Sequence, residues 1–445
     1  MGIEIRPVGG FQEVGKNMCA IKVDDEVVIF DMGIHLPNFI ALTDDEDIHH
    51  ISEQLLRHGK AIPDDTLLGD WKNKVKAIFP SHAHLDHLAA IPWMAHAYSC
   101  PIIGTPFTIA VLRNILIDEK MTLPNQLIEI PENGIYTVSE KISVEFIHMT
   151  HSTPQASMLA LHTPYGIILY ADDFKLDNTP TLGSKPHYAA LERIGKKGVK
   201  AAIINCLYAP EQGKTPSESI AKEMLEDTLL GMDTCGKAIV VTTFSSHIAR
   251  LQSIIACGKK MKRQVVFVGR SLAKYVLAAE EANLVRFSDE VVICKYGRHM
   301  HKKLKTIMQD GPEKYLLVVT GHQGEPKAVL SRIAKKQYEF FLRQDDLVIF
   351  SCKTIPVEIN MRQREHLEEL LANQGVEMVK DVHVSGHAMS EDIKELLDIT
   401  RPEHIIPFHG VSSMNEALEE IGLEKGYSEK KIHILLIGET LSFEK

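Results

Sequence analysis

Cysteine, aromatic residues and long apolar runs are all scarce in this chain of 445 residues, and each scarcity closes off a class of protein. Its seven cysteines are scattered, with no Cys-x-x-Cys pair, which argues against a disulfide framework or a zinc ribbon and for a reducing compartment. No apolar run approaches the ~18–20 residues that span a bilayer. The start, Met1-Gly2-Ile3-Glu4-Ile5-Arg6, has no basic segment leading into an apolar one, so a cytoplasmic location without membrane contact is expected. Low-complexity linkers and internal repeats are also missing. What remains is a globular composition, 44% hydrophobic and 24% charged, with length for two or three domains or one interrupted by another. Two counts are unusual: 22 histidines and a net charge of −10.

The acidic balance speaks against nucleic acid, whose binders usually carry a basic footprint, but the charge is unevenly spread. Residues 207–385 hold 26 Lys and Arg against 22 Asp and Glu, and the rest of the chain holds 23 against 37. Within the first segment, 251–305 carries 12 basic and four acidic residues. Such a stretch can displace counterions from phosphates, or it can be a solvated helix face.

Short β-branched runs recur at Val27–Phe30, Val75–Phe79, Ile142–Ile147, Gly166–Tyr170, Ala201–Asn205, Ala238–Thr242, Gln264–Val268, Tyr315–Val319 and Leu347–Phe350. Helical patterns lie between them, among them Leu88–Tyr98, Ser217–Leu230, Ser246–Cys257 and Asn360–Asn373. Before about residue 170 the strands read as hairpin-like pairs, as around Asp24-Asp25; from 201 to 350 they alternate with helices, as in a parallel sheet. The first part therefore reads as a helix-covered sheet sandwich and the middle as a doubly wound α/β unit. The polar segment Leu36–Lys74 reads as a loop-rich elaboration.

The densest chemistry is Ser81-His82-Ala83-His84-Leu85-Asp86-His87, directly after Val75–Phe79. His82 and His84, alternate residues of a loop, can point to one side and bind one ion. Asp86 and His87 open the next helix and can turn towards a second. Imidazole and carboxylate donors suit zinc or manganese, and simple polar caps would not crowd so many titratable groups into one turn. One loop cannot complete two coordination shells, so further ligands belong at other strand ends. The candidates are His148 or His151, Asp172 or Asp173, and His409; spacing alone leaves the first two choices open. Asp31, ending its strand, suits orienting a ligand from behind. His299 and His301 alternate along the basic stretch and read as an exposed strand or loop. His35, His49, His50, His58, His96, His383 and His404 lack neighbouring ligands and read as structural.

Other motifs accompany this loop: Gly9-Gly10-Phe11-Gln12-Glu13-Val14-Gly15-Lys16-Asn17, His151-Ser152-Thr153-Pro154, Asp173-Phe174-Lys175-Leu176-Asp177, Thr242–Arg250, Thr320–Pro326, Val384-Ser385-Gly386-His387-Ala388 and Pro407-Phe408-His409-Gly410. Together they resemble the β-CASP nucleases of the metallo-β-lactamase superfamily, and among them the ribonuclease J family in its shorter archaeal form, over essentially the whole chain. The resemblance implies a metallo-β-lactamase αββα sandwich, at 1–206 and 386–445, with an α/β β-CASP domain inserted at 207–385. No further C-terminal domain is expected, because the chain stops at Lys445. It selects His151 over His148 and Asp173 over Asp172, and implies two zinc ions per chain, with manganese possible. One ion is assigned to His82, His84, His151 and Asp173, the other to Asp86, His87, Asp173 and His409.

The implied activity is hydrolysis of RNA phosphodiesters from a 5′-monophosphate end, 5′→3′, leaving 5′-phosphate products, with endonuclease cleavage possible in addition. Two cations lower the pKa of a water and clamp the phosphate, while His387 stabilises charge or protonates the leaving oxygen. Ser245, Ser246, Ser385, Gly386, His387 and Ala388 are implied to hold the substrate's terminal phosphate, and a homodimer is implied by analogy. One residue departs from the family pattern. Asn205 stands where an acid usually hydrogen-bonds the histidine of Ser-Gly-His, with Glu211 or Glu218 as potential compensation. Two rivals follow: a dedicated RNA 3′-end-processing endonuclease, and a catalytically weakened RNA-binding subunit.

Overall fold

The computed structural model describes residues 1–43, 51–355 and 357–444; His49 and His50 lie outside them. The chain forms two compact units, one of residues 1–178, 184–215 and 385–445, the other of 179–183 and 216–384. The first unit extends to Thr215 because its segment after Asn205 is tied to residues beyond the insertion. Ser390 N donates to Glu211 O, and Thr215 Oγ1 to His387 O at 2.7 Å.

The first unit holds two sheets. One has seven strands, in the order Leu441–Glu444, Gly2–Gly9, Met18–Val23, Glu26–Phe30, Val75–Phe79, Ile102–Gly104 and Leu127–Glu129. The other has six, in the order His404–Phe408, Val199–Asn205, Gly166–Ala171, Ser157–Thr163, Ser143–His148 and Ile135–Thr137. Alternate residues of both meet in one core: Ile3, Phe30 and Phe79 from the first, Val144, Leu159, Tyr170 and Ile203 from the second. The opposite face of the second sheet is covered by helices Tyr188–Lys197, Ser390–Thr400 and Ser412–Glu424 through Leu191, Ile194, Leu396 and Leu418. This is the layered sandwich, helices on sheets.

Hairpins account for only part of this unit. Met18–Val23 and Glu26–Phe30 pair antiparallel, with Asp24 left-handed in the turn at φ 56°. From Glu26–Phe30 to Leu127–Glu129, however, the pairing is parallel. The patterned helix Leu88–Tyr98 is broken into Leu85–Leu88, Ile91–Met94 and a 3-10 turn, Ala95–Ala97. Pro92 has no N–H to continue the ladder, and the Ala90 amide bonds Met32 O at 3.0 Å instead. The described parts of the Leu36–Lys74 segment are more ordered than its composition suggests, with helices Leu36–Thr43 and Glu53–His58 and the kinked 3-10 segment Asp65–Lys74.

The second unit contains one six-stranded sheet, ordered Val292–Cys294, Gln264–Val268, Tyr315–Val319, Ile239–Thr242, Leu347–Phe350 and Glu377–Val379, every pair parallel. His299 and His301 lie not in a strand or loop but in helix Gly297–Asp310. Leu304 and Ile307 of that helix are buried, with Met300 and Met308 packed beside them, the helical period that decided the element. Part of the basic stretch is already spent within the unit. Lys259 pairs with Glu290, Lys260 with Glu226 and Lys305 with Glu339, while the Arg263 guanidinium donates to the carbonyls of Thr234, Lys237 and Tyr315. Among the described residues, no helix is long and apolar enough to cross a membrane.

Candidate metal centre

Every strand that carries a candidate ligand ends at the same edge of the first unit. His82 and His84 follow Val75–Phe79, His151 follows Ser143–His148, Asp172 and Asp173 follow Gly166–Ala171, and His409 follows His404–Phe408. Asp31 and His409 leave their strands with left-handed backbone, φ 58° and 59°. Neither is glycine, and strain of this kind persists only where neighbours hold it. Here Asp31 N donates to Phe79 O at 3.0 Å and His409 N to Gly10 O at 2.7 Å.

His82, His84, His151 and Asp173 converge. His84 Nδ1 lies 3.1 Å from both His82 Nε2 and His151 Nε2. Asp173 Oδ2 is 3.5, 3.9 and 3.2 Å from His82, His84 and His151. Atoms bound tetrahedrally at about 2.0–2.1 Å stand roughly 3.3–3.4 Å apart, so the spacing suits one small cation. The tautomers agree. His151 Nδ1 donates to Gly386 O at 2.7 Å, and His82 Nδ1 lies 2.9 Å from Ser81 Oγ, so the lone pairs of both Nε2 atoms face inward. Burial holds the His82 imidazole well below its ordinary pKa and pushes that of His151 down to about 3. Both stay neutral, as ligands must.

The second group is His87, Asp172, Asp173 and His409, all buried. His87 has two distinct ends. Its Nδ1 lies 2.6 Å from Asp172 Oδ2 and 2.9 Å from Asp31 Oδ2, while its Nε2 lies 3.5 Å from Asp86 and 3.7 Å from Asp173. Asp31 therefore sits behind the ring, also accepting from Ser81 N at 2.7 Å and Tyr170 Oη at 3.0 Å. Asp86 lies on the opposite side, 3.6 Å from His409 Nε2. The sequence could not tell that Asp172 reaches His87 from the rear; two adjacent residues at a strand exit simply face opposite ways.

Four carboxylates, Asp31, Asp86, Asp172 and Asp173, are thus gathered in a largely buried site. Burial opposes their ionisation, yet the surrounding imidazoles of His387, His87 and His409 hold Asp173 well below the usual carboxylate range. Burial drives Asp31 up to about 7, with Asp172 adding to the rise against His87. His87 is raised despite burial, by Asp172 and Asp86. Asp172 Oδ1 has no hydrogen-bond partner. Buried charge of one sign calls for a counter-charge, and this donor set fits divalent cations.

The remaining candidates are placed as follows. His387 lies beside this centre, Nδ1 3.6 Å from Asp173 Oδ1, its ring stacked on Tyr208 at 5.5 Å and 6°. Tyr208 went unnoticed in the sequence, although it stands three residues after Asn205. Asn205 does not bond His387. Its Nδ2 donates to Asp173 Oδ1 at 2.5 Å, its Oδ1 accepts from Leu207 N, and His387 Nδ1 has no hydrogen-bond partner. Neither proposed substitute fills the gap, since Glu211 is exposed and Glu218 pairs with Arg250 in the second unit. Burial pushes the His387 imidazole down to about 4. Ser385 Oγ accepts from His387 N at 3.0 Å. Gly386 is obligatory for another reason: a Cβ there would meet Ser152 at 2.9 Å. The Ala388 side chain is packed in the core, leaving only its backbone for a ligand. Ser245 and Ser246 follow the strand Ile239–Thr242 of the second unit, Ser245 Oγ lying 2.9 Å from Ser271 Oγ.

Residues 236–364 match the family described as "Ribonuclease J, beta-CASP domain", and residues 374–435 the "Zn-dependent metallo-hydrolase RNA specificity domain". Ribonuclease J of Methanocaldococcus jannaschii is 42% identical over 100% of both chains. That of Pyrococcus abyssi is 43% identical over 96% of this chain and 93% of its own. Ribonuclease J2 of Bacillus subtilis is 26% identical over 99% of this chain and 75% of its own. The solved structure of a protein of unknown function from Enterococcus faecalis covers 100% of both chains with a TM-score of 0.67 at 18% identity, a likeness of fold. The chain belongs to the ribonuclease J family, metal-dependent ribonucleases built as a metallo-β-lactamase fold with an inserted β-CASP domain.

Proposed function

We propose that the chain is a two-cation 5′→3′ exoribonuclease that prefers 5′-monophosphate ends, yields 5′-phosphate products and works as a cytoplasmic homodimer, with internal cleavage as a secondary activity. The observation that carries this reading is the sharing of Asp173 between the two ligand groups. His82, His84, His151 and Asp173 would hold one cation. Asp86, His87, Asp173 and His409 would hold the other, Asp86 being preferred to Asp172 because it faces His87 Nε2. Zinc is favoured by the name of the matched metallo-hydrolase family, and manganese accepts the same donors. Bound divalent cations supply an acidified water and a clamp for the scissile phosphate. Asp31 and Asp172 keep the His87 proton on Nδ1, Gly386 O does the same for His151, and His387 faces the reacting phosphate with Ala388 buried beneath it. The hydroxyls of Ser385, Ser245 and Ser246 and the amides around Gly386 are the proposed donors to a terminal 5′-phosphate.

A 5′-labelled RNA tests this. Progressive release of labelled mononucleotide from a 5′-monophosphate end, and its block by a 5′-triphosphate, is the expected result. Discrete internal fragments alone would mark a dedicated endonuclease instead.

The hydrogen bond from Asn205 to Asp173 favours a second reading, a centre whose catalysis is damped. Asn205→Asp is then expected to raise turnover about tenfold or more with unchanged RNA affinity, a part of what acid–base catalysis contributes. A carboxylate 2.5 Å from Asp173 is repelled and turns to the unpartnered His387 Nδ1, raising that imidazole from its value of about 4. A group that must be protonated loses activity as pH rises through its pKa, so this limb of the pH profile should move upward in the variant. An unmoved limb would dismiss the reading.

A further inference from the structure

Helix Gly297–Asp310 is one-sided in charge as well as in hydrophobicity. Residues 291–309 hold five Lys and Arg and no Asp or Glu. Leu304 and Ile307 are buried, with Met300 and Met308 beside them. The helical period then leaves Arg298, Lys302 and Lys305 in one row on the opposite side, and all three are exposed. Lys305 pairs with Glu339, whereas among the described residues no carboxylate pairs with Arg298 or Lys302. Like charges four residues apart on a helix repel. The flank continues the charge: the His301 ring lies 4.6 Å from that of Tyr338, which also carries the Arg332 guanidinium at 4.8 Å. At the head of the row stands Tyr296, 65% exposed, with Lys295 Nζ 5.5 Å from its ring centroid. An exposed aromatic ring beside a row of cations is what holds single-stranded nucleic acid, bases stacking on the ring and phosphates meeting the cations.

We infer that this face, Tyr296 with Arg298, Lys302 and Arg332, is a docking surface for the single-stranded body of an RNA, separate from the residues assigned to its reacting end. The inference rests on RNA being the substrate and not on the direction of cleavage. Charge selects the occupant. The chain as a whole carries −10, so an unpaired cationic row attracts a polyanion to one place on a surface that otherwise repels it. An acidic protein surface would satisfy the cations but leave the Tyr296 ring unused, whereas a base stacks on it. Each phosphate held here releases counterions. The surface therefore adds affinity for an RNA long enough to reach it and none for a fragment that is not.

Steady-state cleavage by the full chain of two 5′-monophosphorylated RNAs tests the inference, one of about five nucleotides, near the lower size of a single binding site, and one of about thirty. Arg298→Ala/Lys302→Ala should raise KM for the longer RNA about 25-fold at low salt, and the gap should close as salt rises tenfold, two lost contacts at a slope of about 0.7 each. Turnover at saturation should not change, nor should either constant for the shorter RNA. Tyr296→Ala should raise the same KM about tenfold, by a factor that salt leaves alone, because stacking is uncharged. Lys196→Ala/Lys430→Ala removes the same charge from exposed positions of the first unit and should change neither constant. Thermal unfolding checks that each variant is folded, with Arg298→Gln/Lys302→Gln as the substitute for one that is not. A KM for the longer RNA that is unchanged, raised equally for both RNAs, or raised as much by the control would overturn the inference while leaving RNA as the substrate. An unchanged chain that cleaves neither RNA would overturn both.

Discussion

Asp173→Ala is expected to remove both cations and reduce RNA cleavage to background, the largest loss any single substitution in this chain should produce. The side chain is 2% exposed and is the one carboxylate common to both ligand groups. Its loss leaves each set with imidazoles as the main donors, and it removes the charge that six neighbouring histidines face. His84→Ala should be narrower, costing the cation at His82 and His151 first. His387→Ala separates binding from chemistry. Its Nδ1 lies 3.6 Å from Asp173 Oδ1, and its own loss should spare both cations while slowing cleavage about 10²–10⁴-fold, the usual range for an acid–base group. Metal content by mass spectrometry, read beside turnover on one RNA, distinguishes the three. Full metal occupancy in folded Asp173→Ala would refute the assignment.

The centre was legible because its donors crowd a single turn. Between His82 and His87 the sequence offers four ligand-capable residues after an apolar strand, and little else requires that composition. The ligands from other strands were visible only as candidates. Period-2 reasoning places His148 and Asp172 as well as His151 and Asp173 at strand exits, and it cannot say which way the chain turns beyond them. The structure shows the discarded neighbours at work elsewhere: His148 Nδ1 bonds Glu132 at 2.5 Å, and Asp172 backs His87. The parallel sheet of the second unit was also legible, since its strands are fully apolar runs spaced by helices. The alternation of His299 and His301 mimics a strand within helix Gly297–Asp310, whereas Met300, Leu304, Ile307 and Met308 carry the helical period. The break at Pro92 and the redirection of Asn205 depend on contacts with Met32 and Asp173, which no local pattern contains.

Glu218→Gln should destabilise the second unit by about 3–5 kcal/mol, the cost of leaving one member of a buried ion pair alone. Arg250 is 0% exposed. Its Nε and Nη2 donate to the two Glu218 oxygens at 2.6 and 2.9 Å, and Nη1 donates to Ser351 O at 3.1 Å, Ser351 Oγ at 2.8 Å and Val382 O at 3.1 Å. One guanidinium thereby ties helix Ile248–Lys260 to the start of helix Glu218–Gly231, to the residue after strand Leu347–Phe350 and to Val382. Glutamine preserves the shape but offers a single neutral acceptor, and the guanidinium cannot shed its proton in response. The pH dependence provides an independent check. Burial opposes ionisation of Glu218, but His247 and Arg250 outweigh it and hold the folded carboxyl well below its ordinary 4.5. The contribution is therefore complete above about pH 4.5 and fades as pH falls towards the folded pKa, because the unfolded chain takes up the proton first. Urea unfolding of both forms should show the full gap at neutral pH and a shrinking one in acid. A gap below about 1 kcal/mol at neutral pH would reduce the pair to the level of a surface salt bridge, and Arg250 would then need another reason to be buried.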